Sequence, residues 1–276
     1  MGIYCRLIEL PLFLGISIWW YVIAAYLVLM VLLYFFQDRI FFKPEKLPAD
    51  FIYKYNAPFR ELNFDIQKGV RINGLHFFLE KPNGLILYFH GNSRSIKGWG
   101  KYARDFYRYG YDVVLVDYRG FGKSTGKRSE EDMLNDMQVV YKKLSETMSE
   151  NNIIVYGRSL GSGFACKIAS DNNPRFLILD APYFSFVKVV KRFLPLLPSK
   201  WVLRYHLRTD QWILNVRCHT YIIHGTKDWL IPISQSENLQ LLNPFRITLI
   251  RIHGGGHNNL PSFPEYHAFL RDILLY

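Results

Sequence analysis

The sequence predicts a doubly wound, mostly parallel α/β domain preceded by a single membrane-crossing helix. Two patterns point to the domain. Continuous branched and aromatic runs recur along the chain ("LILYFHG", "DVVLVDYRG", "NIIVYG", "FLILDAP", "TYIIHG", "ITLIRIHG"), as expected of parallel strands buried on both faces. Between them lie stretches with apolar residues at helical spacing, so the alternation is βαβα. The third observation concerns the start of the chain, where residues 10–37 carry no charge. With 276 residues, 50% of them hydrophobic and 17% aromatic, the chain can bury one large core, and disordered or fibrous classes are excluded.

The uncharged run "LFLGISIWWYVIAAYLVLMVLLYFF" exceeds the roughly 20 apolar residues that cross a bilayer. A cleaved leader would have a shorter apolar core and small residues at its end, whereas this run ends in "YFFQDRIFF", so the segment is expected to stay as an anchor. Arg6 precedes it, and Arg39, Lys43, Lys46 and Lys54 follow. Lys and Arg are retained on the cytoplasmic side, which places the globular part in the cytosol. The three cysteines, Cys5, Cys166 and Cys218, are odd in number and unrelated in position, consistent with a reducing compartment. Cys5 is read as a plain terminal cysteine, because Arg6 stands where a myristoylation signal needs Ser or Thr. The expected organisation is a tail and anchor over residues 1–37 and a catalytic domain over 38–276, with the chain before Gln37 acting as a tether dispensable for chemistry.

Past the anchor, "RELNFDI" and "VRINGLHFFLE" alternate as antiparallel strands do, with Asn73-Gly74 read as a turn or a bulge. Ser129 and Asp132 open the helix "SEEDMLNDMQVVYKKLSETM" as a cap. Between "LDAPY" and "TYIIHG", residues 183–214 read as a cap over the site. This insertion is apolar and basic, carries Pro195 and Pro198, and has no acid before Asp210.

Ligands in such sheets gather beyond the carboxyl ends of the strands, and there the sequence places His90-Gly91-Asn92, Asp117, Ser159, Asp228 and His257. "GRSLGSG" matches the G-x-S-x-G elbow. A sharp strand-to-helix turn strains the serine backbone and needs small neighbours, which Gly157 and Gly161 supply. Asp228 in "HGTKDWLIP" and His257 in "HGGGHNN" complete the order Ser, Asp, His. The expected roles are Ser159 as nucleophile, His257 as its base and Asp228 as the acid that orients the imidazole. Asp180, ending "FLILD", is the alternative acid. The oxyanion donors are expected to be the backbone N–H groups of Leu160 and Asn92. His90 and Gly91 are read as support of that loop, and His224 and the remaining histidines as ordinary placements.

These segments, "LYFHGNSRS", "DVVLVDYRGFGKSTG", "GRSLGSG", "HGTKDWLIP" and "GGGHNNL", resemble the motifs of the α/β-hydrolase superfamily. The match is specifically to its membrane-anchored branch of bud-emergence-like and abhydrolase-domain proteins, and it runs from about Gln37 to the C-terminus. "FQDRIFFKP" is also similar to that branch. The family often has a second glycine where this chain has Ser162. The resemblance implies the α/β-hydrolase fold and a serine hydrolase that needs neither metal nor organic cofactor.

Two rival readings are open to the residues. "GFGKSTGK" follows a strand, but a P-loop requires a glycine where this chain has Asp117, so its spacing fails. A non-catalytic scaffold has no need of all three triad positions in order. The net charge of +11 is dispersed and unaccompanied by a nucleic-acid motif, so the expected partner is a bilayer and not nucleic acid. The expected substrate is an acyl ester or thioester of a lipid-like molecule, with small esters or peptides as the alternative. Phe184, Phe186, Phe193 and Trp201 are expected to line an acyl channel, and Lys188, Lys191, Arg192 and Lys200 to meet anionic headgroups.

Overall fold

The computed structural model describes residues 6–275, with side chains from Ile18 to Leu275; Cys5 lies outside the described residues. In chain order the elements are α1 (Arg6–Phe41), β1 (Lys43–Pro44), β2 (Phe59–Gln67), β3 (Val70–Phe77), β4 (Gly84–Phe89), β5 (Ser93–Arg94), α2 (Ile96–Trp99), α3 (Arg104–Tyr107), β6 (Tyr111–Val116) and α4 (Glu130–Ser145). They continue as β7 (Ile153–Arg158), α5 (Leu160–Asp171), β8 (Phe176–Asp180), α6 (Phe186–Phe193), α7 (Ser199–Val202), α8 (Thr209–Trp212), β9 (His219–Gly225), α9 (Ser234–Leu242), β10 (Ile247–Ile252) and α10 (Pro264–Leu275).

Eight strands form one sheet in the order β10-β9-β8-β7-β4-β6-β3-β2. All neighbours from β10 through β6 are parallel, and β3 and β2 close one edge antiparallel. The buried runs sort by alternation, as period-2 side chains must. Leu85, Leu87 and Phe89 face one layer with Phe164 and Val140. Ile86 and Tyr88 face the other with Phe106 and Phe269. Continuous apolar runs were legible as strands because both faces of the sheet are covered by helices.

The hairpin differs from the expectation. Asn73 and Gly74 pair inside β3, opposite Asn63 and Leu62, and the chain reverses at residues 68–69. Gly74 is needed because a Cβ there would lie 3.0 Å from the Leu115 carbonyl oxygen. Ser129 caps α4 as expected, its hydroxyl accepting the Asp132 N–H. "GFGKS" is a brace: the Ser124 hydroxyl donates to the Asp117 carbonyl and accepts the Asn73 N–H.

The cap consists of α6, α7 and α8 with their linkers, inserted between β8 and β9. Ile18–Phe41 of α1 is long and apolar enough to cross a bilayer by length and composition. This helix runs unbroken past residue 37 to Phe41. Its far half packs on the cap: Gln37 is buried, donating to the Val202 carbonyl and accepting the Arg204 N–H, and Asp38 accepts from Arg204 and Tyr205.

Candidate active site

β7 delivers Ser159 into the turn before α5 with φ 51° and ψ −116°, a left-handed conformation rare outside glycine. The turn closes only because its neighbours lack side chains. A Cβ on Gly161 would sit 2.1 Å from the Phe89 carbonyl oxygen, and one on Gly157 would sit 2.4 Å from that of Gly161. Ser162 fits where the family often has glycine, its hydroxyl donating to the Ser159 carbonyl at 2.6 Å.

His257, in the loop after β10, places Nε2 2.9 Å from Ser159 Oγ and Nδ1 2.7 Å from Asp228 Oδ2. Asp228, in the turn after β9, accepts the backbone N–H groups of Leu230 and Ile231 on Oδ1, both at 2.9 Å. Burial pushes the Asp228 carboxyl up, but hydrogen bonds from His224, His257 and the Ile231 N–H more than offset it and hold the group well below the usual carboxylate range. Asp228 therefore stays ionised, and Nδ1–H of His257 donates to it. That tautomer leaves Nε2 free to accept the serine proton.

Asp180, the alternative acid, faces elsewhere. Its Oδ2 accepts the Tyr156 hydroxyl at 2.5 Å and lies 3.7 Å from Arg158 Nε. Arg158 is buried against the rings of Trp99 and Tyr102 and donates to the His257 carbonyl at 3.4 Å.

His90 is fully buried, with Nδ1 at the Gly91 carbonyl and Nε2 at Asp117 Oδ1, so it braces the loop after β4. Asp117 is raised by burial against the opposing pull of His90. Gly91 brings that loop against the elbow: its Cβ, if present, would lie 3.8 Å from Ser159 Cβ. Among the described residues, neither the Leu160 nor the Asn92 backbone N–H has an acceptor, and both residues line the cavity at Ser159. Two free donors beside a nucleophile suit a developing oxyanion.

That cavity holds about 430 Å³ and is lined mainly by apolar side chains: Ile40, Phe41, Tyr183, Phe186, Val189, Val190, Phe193, Leu194, Leu230 and Ile231. Of the four cap aromatics expected there, Phe186 and Phe193 line it; Phe184 packs half-buried on the core, and Trp201 is exposed outside. Among the described residues no three His, Cys, Asp or Glu side chains gather as metal ligands do.

Two features escaped sequence reasoning. His224 is fully buried, with Nε2 3.1 Å from Asp228 Oδ2 and 2.9 Å from the Ile231 carbonyl, and Nδ1 2.6 Å from Ser236 Oγ. Both groups at Nε2 are acceptors, so it carries the proton and Nδ1 accepts from Ser236. Its place four residues before Asp228 in "HGTKD" was the available signal. The second feature is the wall formed by Ile40 and Phe41 at the end of α1 and by Lys43 of β1, for which the sequence offered no signal.

A parallel sheet with a strained serine at a strand-to-helix turn, a histidine and an acid from later strand ends, and an inserted cap defines an α/β-hydrolase. The comparisons agree. The family model described as serine aminopeptidase, S33, matches residues 80–213. Protein R595 of Acanthamoeba polyphaga mimivirus is 30% identical over 218 residues, covering 69% of this chain and 72% of that one. The lysophosphatidylserine lipase ABHD12 of Bos taurus is 26% identical over 232 residues, covering 71% of this chain and 57% of the longer lipase. Among solved structures, the Pyrococcus furiosus esterase Pf2001 superposes with a TM-score of 0.67 at 18% identity, over 85% of this chain and 97% of that one. The chain belongs to the α/β-hydrolase superfamily, in its abhydrolase-domain branch.

Proposed function

We propose that this protein is a membrane-anchored serine hydrolase that cleaves acyl esters or thioesters of lipid-like molecules through Ser159, His257 and Asp228. The observation that carries the reading is the hydrogen-bonded chain from Ser159 through His257 to Asp228 at an apolar cavity. Residues 1–37 are its tail and anchor, and 38–276 its catalytic domain, lying in the cytosol by the excess of Arg and Lys that follows the apolar run.

In the proposed reaction, Ser159 Oγ attacks the acyl carbon as His257 Nε2 takes its proton, and Asp228 stabilises the imidazolium. The carbonyl oxygen becomes an oxyanion held by the Leu160 and Asn92 N–H groups. Collapse breaks the bond to the leaving oxygen or sulfur, which takes the proton from Nε2 and departs, leaving an acyl ester on Ser159. Water then attacks that ester, giving its proton to His257, and the acid leaves as the proton returns to Ser159.

An apolar cavity suits an acyl chain, and tethering beside a bilayer raises the local concentration of lipids and lipidated proteins. The relative named as a lysophosphatidylserine lipase supports the lipid class. A fluorophosphonate probe should label the wild-type protein and not Ser159→Ala, and a series of acyl esters should favour medium or long chains. A protein that never labels is a scaffold. A preference for acetyl esters or aminoacyl amides assigns it to the small-ester hydrolases or peptidases.

A further inference from the structure

The cap and the apolar helix are one packed unit. Tyr26 Oη donates to the Leu196 carbonyl at 2.7 Å, Met30 is buried in a cluster with Val190, Leu197 and Leu203, and Gln37 bonds Val202 and Arg204. Tyr26 lies 11 residues before Gln37, about 17 Å along a helix axis, so the cap segment 196–204 runs beside the apolar helix for that length.

Both elements turn apolar side chains outward. Leu196 is 85% and Trp201 86% exposed, and helix residues such as Leu29 and Phe36 are exposed too. So many large apolar side chains turned outward on two packed elements mark a surface that meets another apolar phase. Charge names the phase: the cap carries Lys188, Lys191, Arg192 and Lys200, Arg204 pairs with Asp38 at the helix end, and Arg39 and Lys43 stand beside it. An apolar patch rimmed by cations matches the boundary of a bilayer with anionic headgroups.

The cavity is lined by both of these elements, by Ile40 and Phe41 of the helix and by Phe193 and Leu194 of the cap. Ser159 and Leu160 lie at its depth, while Ile40, Phe193 and Leu194 are exposed at its edge, with Phe193 meeting the Trp229 ring edge-on. We infer that cap segment 193–201 is sunk into the leaflet from which α1 emerges, and that the gap between Ile40-Phe41 and Phe193-Leu194 is a lateral portal through which acyl chains pass from that leaflet to Ser159. The docking rests on the anchor reading of α1, and the portal on the hydrolase reading proposed above.

The test uses the full chain in phosphatidylcholine/phosphatidylglycerol vesicles, with Cys5 and Cys218 replaced by serine and Cys166 left buried. A fluorophore on Leu196→Cys should be quenched by brominated acyl chains and shielded from aqueous iodide. One on Phe245→Cys, 94% exposed before β10, should show the reverse. Iodide access at 196 equal to that at 245 overturns the docking, as does shielding without bromine quenching, which marks a second protein copy.

For the portal, the paired change Leu196→Glu with Trp201→Glu should cost about tenfold or more on a long-chain ester in vesicles. Hydrolysis of soluble p-nitrophenyl butyrate in detergent should stay within about twofold. Equal loss on both substrates, or loss on neither, overturns the portal. A failure of fluorophosphonate labelling at Ser159 sinks the hydrolase reading by itself, while the quenching result still judges the docking.

Discussion

The side-chain amide of Asn92 donates to the Phe41 carbonyl at 2.9 Å, so the turn beside Ser159 is fastened to the last turn of the apolar helix. The Asn92 carbonyl accepts the Lys43 N–H at 3.0 Å, which fastens it a second time. Asn92→Ala keeps the backbone N–H proposed for the oxyanion but frees its position. Loss of alignment at an oxyanion donor costs rate more than binding, so kcat should fall about tenfold or more with KM little changed. Steady-state kinetics on p-nitrophenyl butyrate check this, and an unchanged kcat would remove Asn92 from the site.

Asp228→Asn should lower kcat by about 10⁴-fold, because the amide favours the wrong His257 tautomer. Asp180→Asn should cost stability, since it weakens the acceptor for Tyr156 and the partner of Arg158, while kcat changes far less. Single-turnover rates and thermal melts on the two variants separate them. The reverse pattern would make Asp180 the acid.

His224→Phe removes a hydrogen bond that holds the Asp228 carboxyl low. A carboxylate whose folded pKa lies below its unfolded value adds stability above about pH 4, and loses it as pH falls through the lowered value. The variant should therefore melt lower than wild type at pH 7, and the gap should narrow below about pH 4 as Asp228 protonates. A gap that is constant with pH would mean that His224 only fills space.

Gly161→Ala should not yield folded protein, since its Cβ would meet backbone at 2.1 Å that no rotamer can move. Ser162→Ala deletes one hydroxyl donor to the Ser159 carbonyl and should cost about 1 kcal/mol with catalysis largely kept. Expression, circular dichroism and urea titration distinguish the two.

EDTA should leave turnover unchanged, because in the proposed reaction Ser159, His257 and Asp228 supply nucleophile and acid–base chemistry between them. Chelator-sensitive ester hydrolysis that zinc restores would overturn the serine mechanism.

What the sequence determined by itself was local. The elbow was legible because a strained serine demands glycines at fixed offsets, and Gly157 and Gly161 stand where a Cβ would strike backbone. The strands were legible because runs buried on both faces need no polar alternation, and the apolar helix because its length and composition suffice. Only the tertiary structure shows which of Asp180 and Asp228 reaches His257. Both end or follow a strand, and it is the turn after β9, lying beside the loop after β10, that brings one of them to His257. Only folding turned His224 from an ordinary histidine into a partner of that acid, and Gln37 and Asp38 from the end of a span into a clamp on the cap. Those contacts join residues up to 167 positions apart. Periodicity, turn sterics and composition act within a few neighbours, whereas packing chooses which distant side chains meet.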